Sequence, residues 1–404
     1  MSKRNGFVLI CIAALLLSAC QSSSSTPTDS QIEPSSAPTH EPESTPTLIE
    51  PTSINQEAIK IAFLDRLNQP EVSDQLEWVK LAIMDFNSET GLQVELMEAD
   101  SGNGADTAQA TATGIGLERD IYGVVGLSYS SDAVGASIVF QQFALPCISF
   151  AQSSILSQED NTSFFQFSPI SQVEGSETGQ LVVSALNAKK VFVIYESDSG
   201  QYYQNLYNSF VDAVTSNGGT LIGREPITSE TQDFSGVVAK IQSNGSDVVF
   251  LGTGTFEQAG LLLQEMQSEN VSVPVVGYSF FSTPEYSAVA EGDYVISPVP
   301  AINELPEASN VIQRYTQMYG DKSISLYGPM AYAGTTTMLK AIKRSADSGN
   351  LTPQTVASEI SQTNRADSIL GTPIAFEANG GLKDARFYLL KVENGNFKTV
   401  SPAQ

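Results

Sequence analysis

Hydroxyl, amide and phenol side chains cluster directly after three apolar runs of this sequence. "VVGLSYSSDA" carries Ser130, "ISFAQSSILS" carries Gln152, Ser153 and Ser154, and "YESDSGQYYQNLY" carries Tyr202. Hydroxyls at the start of a helix favour a carboxylate or a similar anion, and tyrosine rings suit the apolar part of a small ligand. The clusters therefore predict binding of a small polar molecule. Helix caps, loops and core packing are the alternative explanation for each cluster taken alone.

The residue types that covalent catalysis and metal binding need are scarce. The single histidine, His40, lies in a proline-rich segment, which leaves residues 56–404 without Ser-His or Cys-His pairs and without most kinds of zinc site. Cys147 lies in the apolar run "LPCISF", which is typical of an inert core thiol. We predict that the protein is not an enzyme and holds no metal or cofactor. A carboxylate-based hydrolase is the remaining catalytic hypothesis, and it needs two acids facing each other across a cleft.

Two short motifs and the net charge argue against further classes of ligand. "GTGTFEQAG" begins like a dinucleotide fingerprint, but Glu257 stands at the place of the third glycine. "ADSGNGAD" begins like a calcium loop, but Thr111 stands where that loop requires glutamate. The chain has 45 acidic residues against 20 lysines and arginines, a formal net charge of −25. Nucleic-acid binding needs basic clusters instead, so we predict no nucleic-acid partner.

The first residues have the pattern of a secretory signal. Lys3 and Arg4 precede an apolar run over residues 7–17, which ends in "LSAC" at Cys20. The run is too short to span a bilayer as a mature helix. "LSAC" resembles the lipobox of bacterial lipoproteins, and this resemblance implies a signal peptide at residues 1–19 and a lipid on Cys20. An ordinary signal peptide with an unrelated cysteine is the alternative.

A disordered linker is predicted over residues 20–55, starting at the lipidated Cys20. This segment is mostly serine, threonine, proline and glutamate, so it buries too little apolar surface to offset the entropy of folding. Its prolines favour a semi-extended spacer. An anchor followed by a spacer predicts an extracytoplasmic domain that is held at the outer face of the cell membrane.

Short β-branched runs alternate with helix-like stretches from residue 59 onward. The predicted strands are "IKIAFL", "VELMEAD", "YGVVGL", "PCISF", "KKVFVIYE", "TLIGREPI", "SDVVFLGTG" and "VPVVGYS". The predicted helices are 76–87, 105–119, 132–143, 202–217, 234–243, 257–269 and 326–346. This alternation predicts βαβ units and parallel sheets, hence an α/β fold. The break at "FQFSPISQ" predicts a crossing between two lobes, and "ENGNF" predicts an Asn-Gly turn between two late strands.

These stretches, in this order, resemble the type I periplasmic-binding-protein family, and within it the leucine/isoleucine/valine-binding branch, which supplies ABC importers with substrate. The resemblance covers roughly residues 59–400 and rests on "IKIAFL", "VVGLSYSS", "LPCISFAQSS", "KKVFVIYESDSGQYY", "DFSGVVAKIQ" and "SLYGPMAYAGTTTMLKAI". It implies two doubly wound parallel-sheet lobes joined by a three-crossing hinge. Lobe 1 is expected over 56–169 and 299–374, and lobe 2 over 170–298 and 375–404.

The resemblance also implies which residues bind the ligand. Ser130 is expected to hold an α-carboxylate with the help of backbone N–H groups. The full expected set is Ser130, Gln152, Ser153, Ser154, Tyr202, Thr255, Ser279 and Tyr327.

Ser279 departs from the family pattern. Amino-acid binders of this family carry an acid at that place, after the strand that matches "VPVVGYS", and it holds the α-ammonium group. A buried ammonium without a carboxylate is costly. Either Asp65 or Glu285 substitutes for the missing acid, or the ligand is not a standard zwitterionic amino acid.

The leading functional hypothesis is a lipid-anchored substrate-binding protein of an ABC importer. It would bind a branched-chain or related amino acid between the lobes and deliver it to permease and ATPase subunits. The alternative is a non-transport protein of the same fold, either a ligand sensor or a regulator of envelope enzymes.

Overall fold

The computed structural model describes residues 59–157, 162–196, 200–252, 254–322 and 324–402. The predicted signal peptide, Cys20 and the linker lie outside the described residues. Among the residues that are described, no helix combines the length and apolarity needed to cross a membrane.

Two separate sheets form the centre of the fold. The first contains β1 (Ile59–Asp65), β2 (Val94–Asp100), β3 (Ile121–Gly126), β4 (Cys147–Ser149) and β5 (Phe164–Gln166). Its strand order is β2-β1-β3-β4-β5, and every pair is parallel. Strands β1, β3, β4 and β5 are mostly buried, as expected of a parallel sheet covered on both faces, whereas the edge strand β2 is mostly exposed or half-buried.

The second sheet is mixed. It contains β6 (Lys190–Glu196), β7 (Thr220–Ile227), β8 (Val248–Leu251), β9 (Val275–Gly277) and β10 (Tyr294–Ser297), which pair in parallel. A two-stranded piece, β11 (Asn364–Arg365) and β12 (Ile374–Ala375), precedes the last two strands, β13 (Tyr388–Glu393) and β14 (Asn396–Pro402). The sheet order is β14-β13-β10-β9-β8-β6-β7, with β13 antiparallel to both of its neighbours.

Eleven helices lie between the strands in the part of the chain that the structure describes. They are α1 (Pro70–Thr90), α2 (Ala105–Leu117), α3 (Ser130–Phe143), α4 (Ser171–Ser184), α5 (Gln201–Ser216), α6 (Ser235–Asn244), α7 (Phe256–Ser268), α8 (Pro284–Ser287), α9 (Ser309–Tyr319), α10 (Tyr327–Asp347) and α11 (Pro353–Ser361).

The chain passes between the two sheets three times. It leaves the first sheet after β5 and enters α4, which packs against α5 beside the second sheet. It returns after β10 to α10, which packs against α1 and β3. It reaches the second sheet again between β12 and β13. The predicted fold class, two doubly wound lobes with three crossings, is confirmed, while the exact lobe boundaries stay a prediction.

Several elements differ from those predicted from sequence. The first is β5, which begins one residue before "FQFSPISQ" and overlaps the start of this predicted break. Helices α4, α8, α9 and α11 are absent from the prediction. Gly175 and Gly179 lower the helix propensity of α4, but they allow its close packing against α5. Helix α3 begins at Ser130, two residues earlier than predicted, so Ser130 belongs to its first turn.

The Asn-Gly turn in "ENGNF" is confirmed. Glu393 pairs with Asn396 across an antiparallel hairpin. Asn394 and Gly395 both have left-handed backbones, with φ of 55° and 70°. Two consecutive left-handed residues are the geometry of a type I′ turn, which asparagine and glycine tolerate best.

Candidate ligand-binding site

A cavity of about 320 Å³ lies where the carboxyl ends of strands from both sheets meet. It is lined by residues that follow β3, β4, β8 and β9, together with the first two turns of α1 and the first turns of α5 and α10. The lining residues are Glu71, Gln75, Ser128, Tyr129, Ser130, Ser131, Phe150, Gln152, Tyr202, Tyr203, Gly254, Thr255, Tyr278, Ser279, Phe280 and Tyr327.

A tight turn after β3 places Ser128, Ser130 and Ser131 at the cavity. Gly126 has φ of 128°, and a Cβ there would lie 2.4 Å from the carbonyl oxygen of Leu64. Leu127 is also left-handed, with φ of 53°. The buried carboxylate of Asp65 fixes the turn, because Oδ2 accepts hydrogen bonds from the backbone N–H and the hydroxyl of Ser128, at 2.9 and 2.7 Å. Burial raises the pKa of Asp65 to about 6.

Helix α3 begins at the cavity with its N-terminus uncapped by a side chain. Tyr129 is the N-cap residue and makes no side-chain cap hydrogen bond. The N–H groups of a first turn have no partner within their own helix, and the helix dipole favours an anion beside them. Ser130 and Ser131 add hydroxyls at the same place, so this wall of the cavity suits a carboxylate.

A hydrogen-bond network joins the two sides of the cavity. Gln152, after β4, donates from Nε2 to the hydroxyl of Ser279, after β9, at 3.2 Å. The hydroxyl of Tyr202 lies 3.0 Å from Gln152 Oε1 and 2.9 Å from Glu174 Oε2. Ser279 donates its backbone N–H to Glu174 Oε1 at 2.6 Å. The network therefore ties the first-sheet loop to α4, α5 and the segment after β9.

Glu174 is a buried acid that is not among the site residues expected from the sequence. Its side chain is 0% exposed and lies behind Tyr202 and Ser279 instead of in the cavity lining. Burial raises its pKa to about 7, against the lowering effect of its hydrogen bonds from Ser279 and Tyr202. No sequence signal could have found it, because α4 itself was not predicted.

Aromatic rings form most of the second-sheet wall. The ring centroids of Tyr202 and Tyr203 are 4.9 Å apart, and those of Tyr203 and Tyr278 are 5.8 Å apart. Phe280 stacks on Tyr278 with centroids 5.8 Å apart. Burial raises the pKa of Tyr202, Tyr203 and Tyr278 above the usual tyrosine value. The phenols are therefore neutral and present uncharged faces to the cavity.

Tyr129 connects the cavity to an ion pair outside the lining. Its hydroxyl donates to Glu71 on α1. The guanidinium of Arg66 lies 3.9 Å from the centre of the Tyr129 ring. Arg66 forms two hydrogen bonds with buried Asp132, at 2.9 and 2.7 Å. Its positive charge is therefore matched by a neighbouring acid.

The structure brings six of the eight predicted site residues together at one cavity. The six are Ser130, Gln152, Tyr202, Thr255, Ser279 and Tyr327. Ser153 and Ser154 lie outside the lining. The Ser153 hydroxyl accepts from the backbone N–H of Ile155 at 3.4 Å, and that of Ser154 accepts from Gln172 at 3.4 Å.

The two acids expected to replace the missing one at position 279 do not line the cavity. Asp65 is 0% exposed and supports the turn at Ser128, while Glu285 lies on α8 away from the lining. Glu71 lines the cavity instead. The sequence does not predict this position, because the helix expected here begins at residue 76 and the first turn of α1 lies before it.

Two α/β sheets whose parallel strands point their carboxyl ends at one cavity define a two-lobed ligand-binding protein. A family model described as periplasmic binding protein matches residues 72–396. The chain belongs to this family, which confirms the resemblance seen in the sequence. The family consists of extracytoplasmic substrate-binding proteins and not of enzymes.

Similar proteins come from the branched-chain amino acid branch and from beyond it. The leucine-specific-binding protein of Salmonella typhimurium is 21% identical over 351 residues, which are 85% of this chain and 93% of that protein. Two solved structures share the fold. One is the branched-chain amino acid transporter substrate binding protein LivJ from Streptococcus pneumoniae in complex with isoleucine. Its TM-score is 0.75 at 19% sequence identity, and the match covers 85% of this chain and 99% of that one. The other is an ABC transporter solute binding protein from R. palustris in complex with benzoate, with a TM-score of 0.71, 16% identity, and coverage of 86% and 96%.

Proposed function

We propose that this protein captures an amino acid, most simply a branched-chain or related one, outside the cytoplasm and delivers it to an ABC permease and its ATPase. The observation that carries the proposal is a single cavity with an uncapped helix N-terminus on one wall and aromatic rings on the opposite wall. This arrangement offers one subsite for a carboxylate and another for an apolar side chain.

In this proposal the carboxylate of the ligand meets Ser130 and the first-turn N–H groups of α3. Gln152, Tyr202 and Ser279 stand between the two walls and would contact the ligand while holding the cleft closed. Thr255 and Tyr327 complete the lining at the starts of α7 and α10.

A thermal-shift screen of the purified protein tests the proposal. The panel should contain the standard amino acids, small amides, short peptides and organic acids that include benzoate. A ligand present well above its dissociation constant raises the melting temperature by mass action. We expect the largest shift from leucine, isoleucine, valine or a similar amino acid. A shift from benzoate alone would transfer the proposal to aromatic acids, and no shift would favour the non-transport alternative.

The lipid anchor is a separate part of the proposal. Cleavage before Cys20 and lipidation of its thiol would leave residues 20–55 as a tether of the binding domain. Mass spectrometry of the membrane-extracted protein should find an acylated N-terminal cysteine. Cys20→Ser should release the protein from membranes, and retention of that variant in the membrane fraction would refute the anchor.

A further inference from the structure

One charged side chain faces the candidate cavity. Among the described residues that line it, Glu71 alone is formally charged, and the lining has no lysine or arginine. Glu71 belongs to the first turn of α1, directly after Pro70. A ligand that fills this cavity therefore meets an acid without a basic residue beside it.

Glu71 has no cationic protein partner among the described side chains. None of the ion pairs between these side chains includes Glu71. The hydroxyl of Tyr129 donates one hydrogen bond to it. Arg66 is close to the Tyr129 ring, but its guanidinium pairs with Asp132. The carboxylate thus has remaining acceptor positions and an unmatched charge.

The surrounding rings favour the same kind of ligand group. Tyr129 lies beside Glu71, and Tyr202, Tyr203 and Tyr278 form the facing wall. The face of an aromatic ring carries negative charge and attracts cations. A partly buried carboxylate among such faces is stabilised by a positively charged nitrogen and repels a second carboxylate.

We infer that Glu71 is the counter-ion of a positively charged nitrogen on the ligand. This inference rests on the proposed function, since it assumes that the ligand occupies this cavity. The nitrogen is either an α-ammonium group or a side-chain ammonium group, and the inference implies that acids without nitrogen bind poorly.

Calorimetric titration of the full chain with matched ligands tests the inference. Leucine is compared with 4-methylpentanoate, which lacks the nitrogen, and with 3-methylbutylamine, which lacks the carboxylate. Lysine and ornithine are included to detect preference for a side-chain ammonium. We expect 4-methylpentanoate to bind the wild type about 10- to 100-fold more weakly than leucine, because a charged hydrogen bond is lost.

Glu71→Gln is the decisive variant, and Glu285→Gln on α8 is its control. Glu71→Gln should weaken binding of the ammonium ligands about 10- to 100-fold and leave 4-methylpentanoate almost unchanged. Glu285→Gln should behave like the wild type, and thermal melts should show that both variants fold. If lysine or ornithine binds best and loses most in Glu71→Gln, the nitrogen that Glu71 meets is the side-chain one.

Two results overturn the inference and are distinguishable. If the wild type binds leucine or lysine and Glu71→Gln binds it equally well, the assignment of Glu71 fails while the proposed function stands. If the wild type binds no ammonium compound, or binds 4-methylpentanoate as tightly as leucine, the cationic ligand and the amino-acid proposal fail together.

Discussion

At the residue scale, the hydroxyl of Tyr202 has one proton and two neighbouring acceptors. Gln152 Oε1 lies 3.0 Å away and Glu174 Oε2 lies 2.9 Å away. When Glu174 is ionised, both oxygens compete for this proton. When Glu174 is protonated, it can donate to the phenol oxygen, and Tyr202 is then free to donate to Gln152. The protonation of Glu174 therefore affects the bond between the two sides of the cavity.

Tyr202→Phe should weaken ligand binding without unfolding the protein. The variant keeps the ring contacts with Tyr203 and removes only the hydroxyl. We expect the dissociation constant to rise about 3- to 10-fold, since one net hydrogen bond contributes about 1 kcal/mol. Calorimetric titration measures this change. Tyr207→Phe is the control, because Tyr207 lies on the same helix and packs on Tyr195 outside the cavity; equal losses in the two variants would contradict the role of Tyr202.

Glu174 should make stability depend on pH. Its pKa rises from 4.5 to about 7 in the folded state, so the folded protein holds this proton more tightly than the unfolded chain. The contribution of Glu174 to the free energy of unfolding is greatest below pH 4.5 and falls by about 3 kcal/mol as the pH rises through the folded pKa.

Glu174→Gln should remove this part of the pH dependence. Urea unfolding of both proteins at acidic, intermediate and neutral pH measures it. Burial also raises the pKa values of Asp65 and Asp293 to about 6. These two groups add the same pH dependence to the stability of the wild type and of the variant, so it cancels in the comparison. The stability of the wild type should therefore fall relative to Glu174→Gln between pH 4.5 and pH 7. Parallel curves would show that Glu174 does not titrate in this range.

At the element scale, close packing of α4 on α5 places Glu174 beside Tyr202. A Cβ on Gly175 would lie 2.2 Å from the carbonyl oxygen of Leu206, and one on Gly179 would lie 2.6 Å from that of Phe210. The two helix backbones are therefore in near contact along this side. A larger residue at either glycine must move α5, which carries Tyr202 in its first turn.

Gly175→Ala should destabilise the protein by about 1–3 kcal/mol, because overpacking against backbone cannot be relieved by a rotamer change. It should also weaken ligand binding, since Tyr202 moves with α5. Gly260→Ala in α7 is the matched control. A Cβ at Gly260 meets nothing within 4 Å, so that variant should gain about 0.5–1 kcal/mol from helix propensity. Chemical unfolding distinguishes them, and a stable Gly175→Ala would mean that the helices separate at little cost.

The sequence predicted the strands better than the helices that support the site. The strands of both sheets are short apolar runs separated by helical stretches. Six of the eight site residues expected from the sequence line the cavity, and their role in ligand binding stays a prediction. Glu71 and Glu174 escaped prediction for a physical reason. Which face of a helix lies toward a cavity depends on packing, which the sequence does not show directly. In α4, the glycines that permit close packing also lower the helix propensity, so the sequence does not predict a helix there.

At the scale of the whole molecule, hydrogen bonds join the segments of the two sheets that meet around the cavity. Gln152 supplies two of them, to Ser279 at 3.2 Å and to Tyr202 at 3.0 Å. These bonds exist only while the two sides are together. Because each bond is worth about 1 kcal/mol, we expect Gln152 to favour this closed arrangement over one in which the lobes separate.

Gln152→Ala should therefore make closure harder without changing the closed shape. In small-angle X-ray scattering, the radius of gyration should fall as the best amino-acid ligand is added to the wild type. The variant should reach the same final radius but need about tenfold or more additional ligand, which corresponds to the lost bonds. Gln109→Ala, on an exposed position of α2, is the control and should titrate like the wild type. If Gln152→Ala titrates like that control, closure depends on the ligand alone, and the amide serves only to line the cavity.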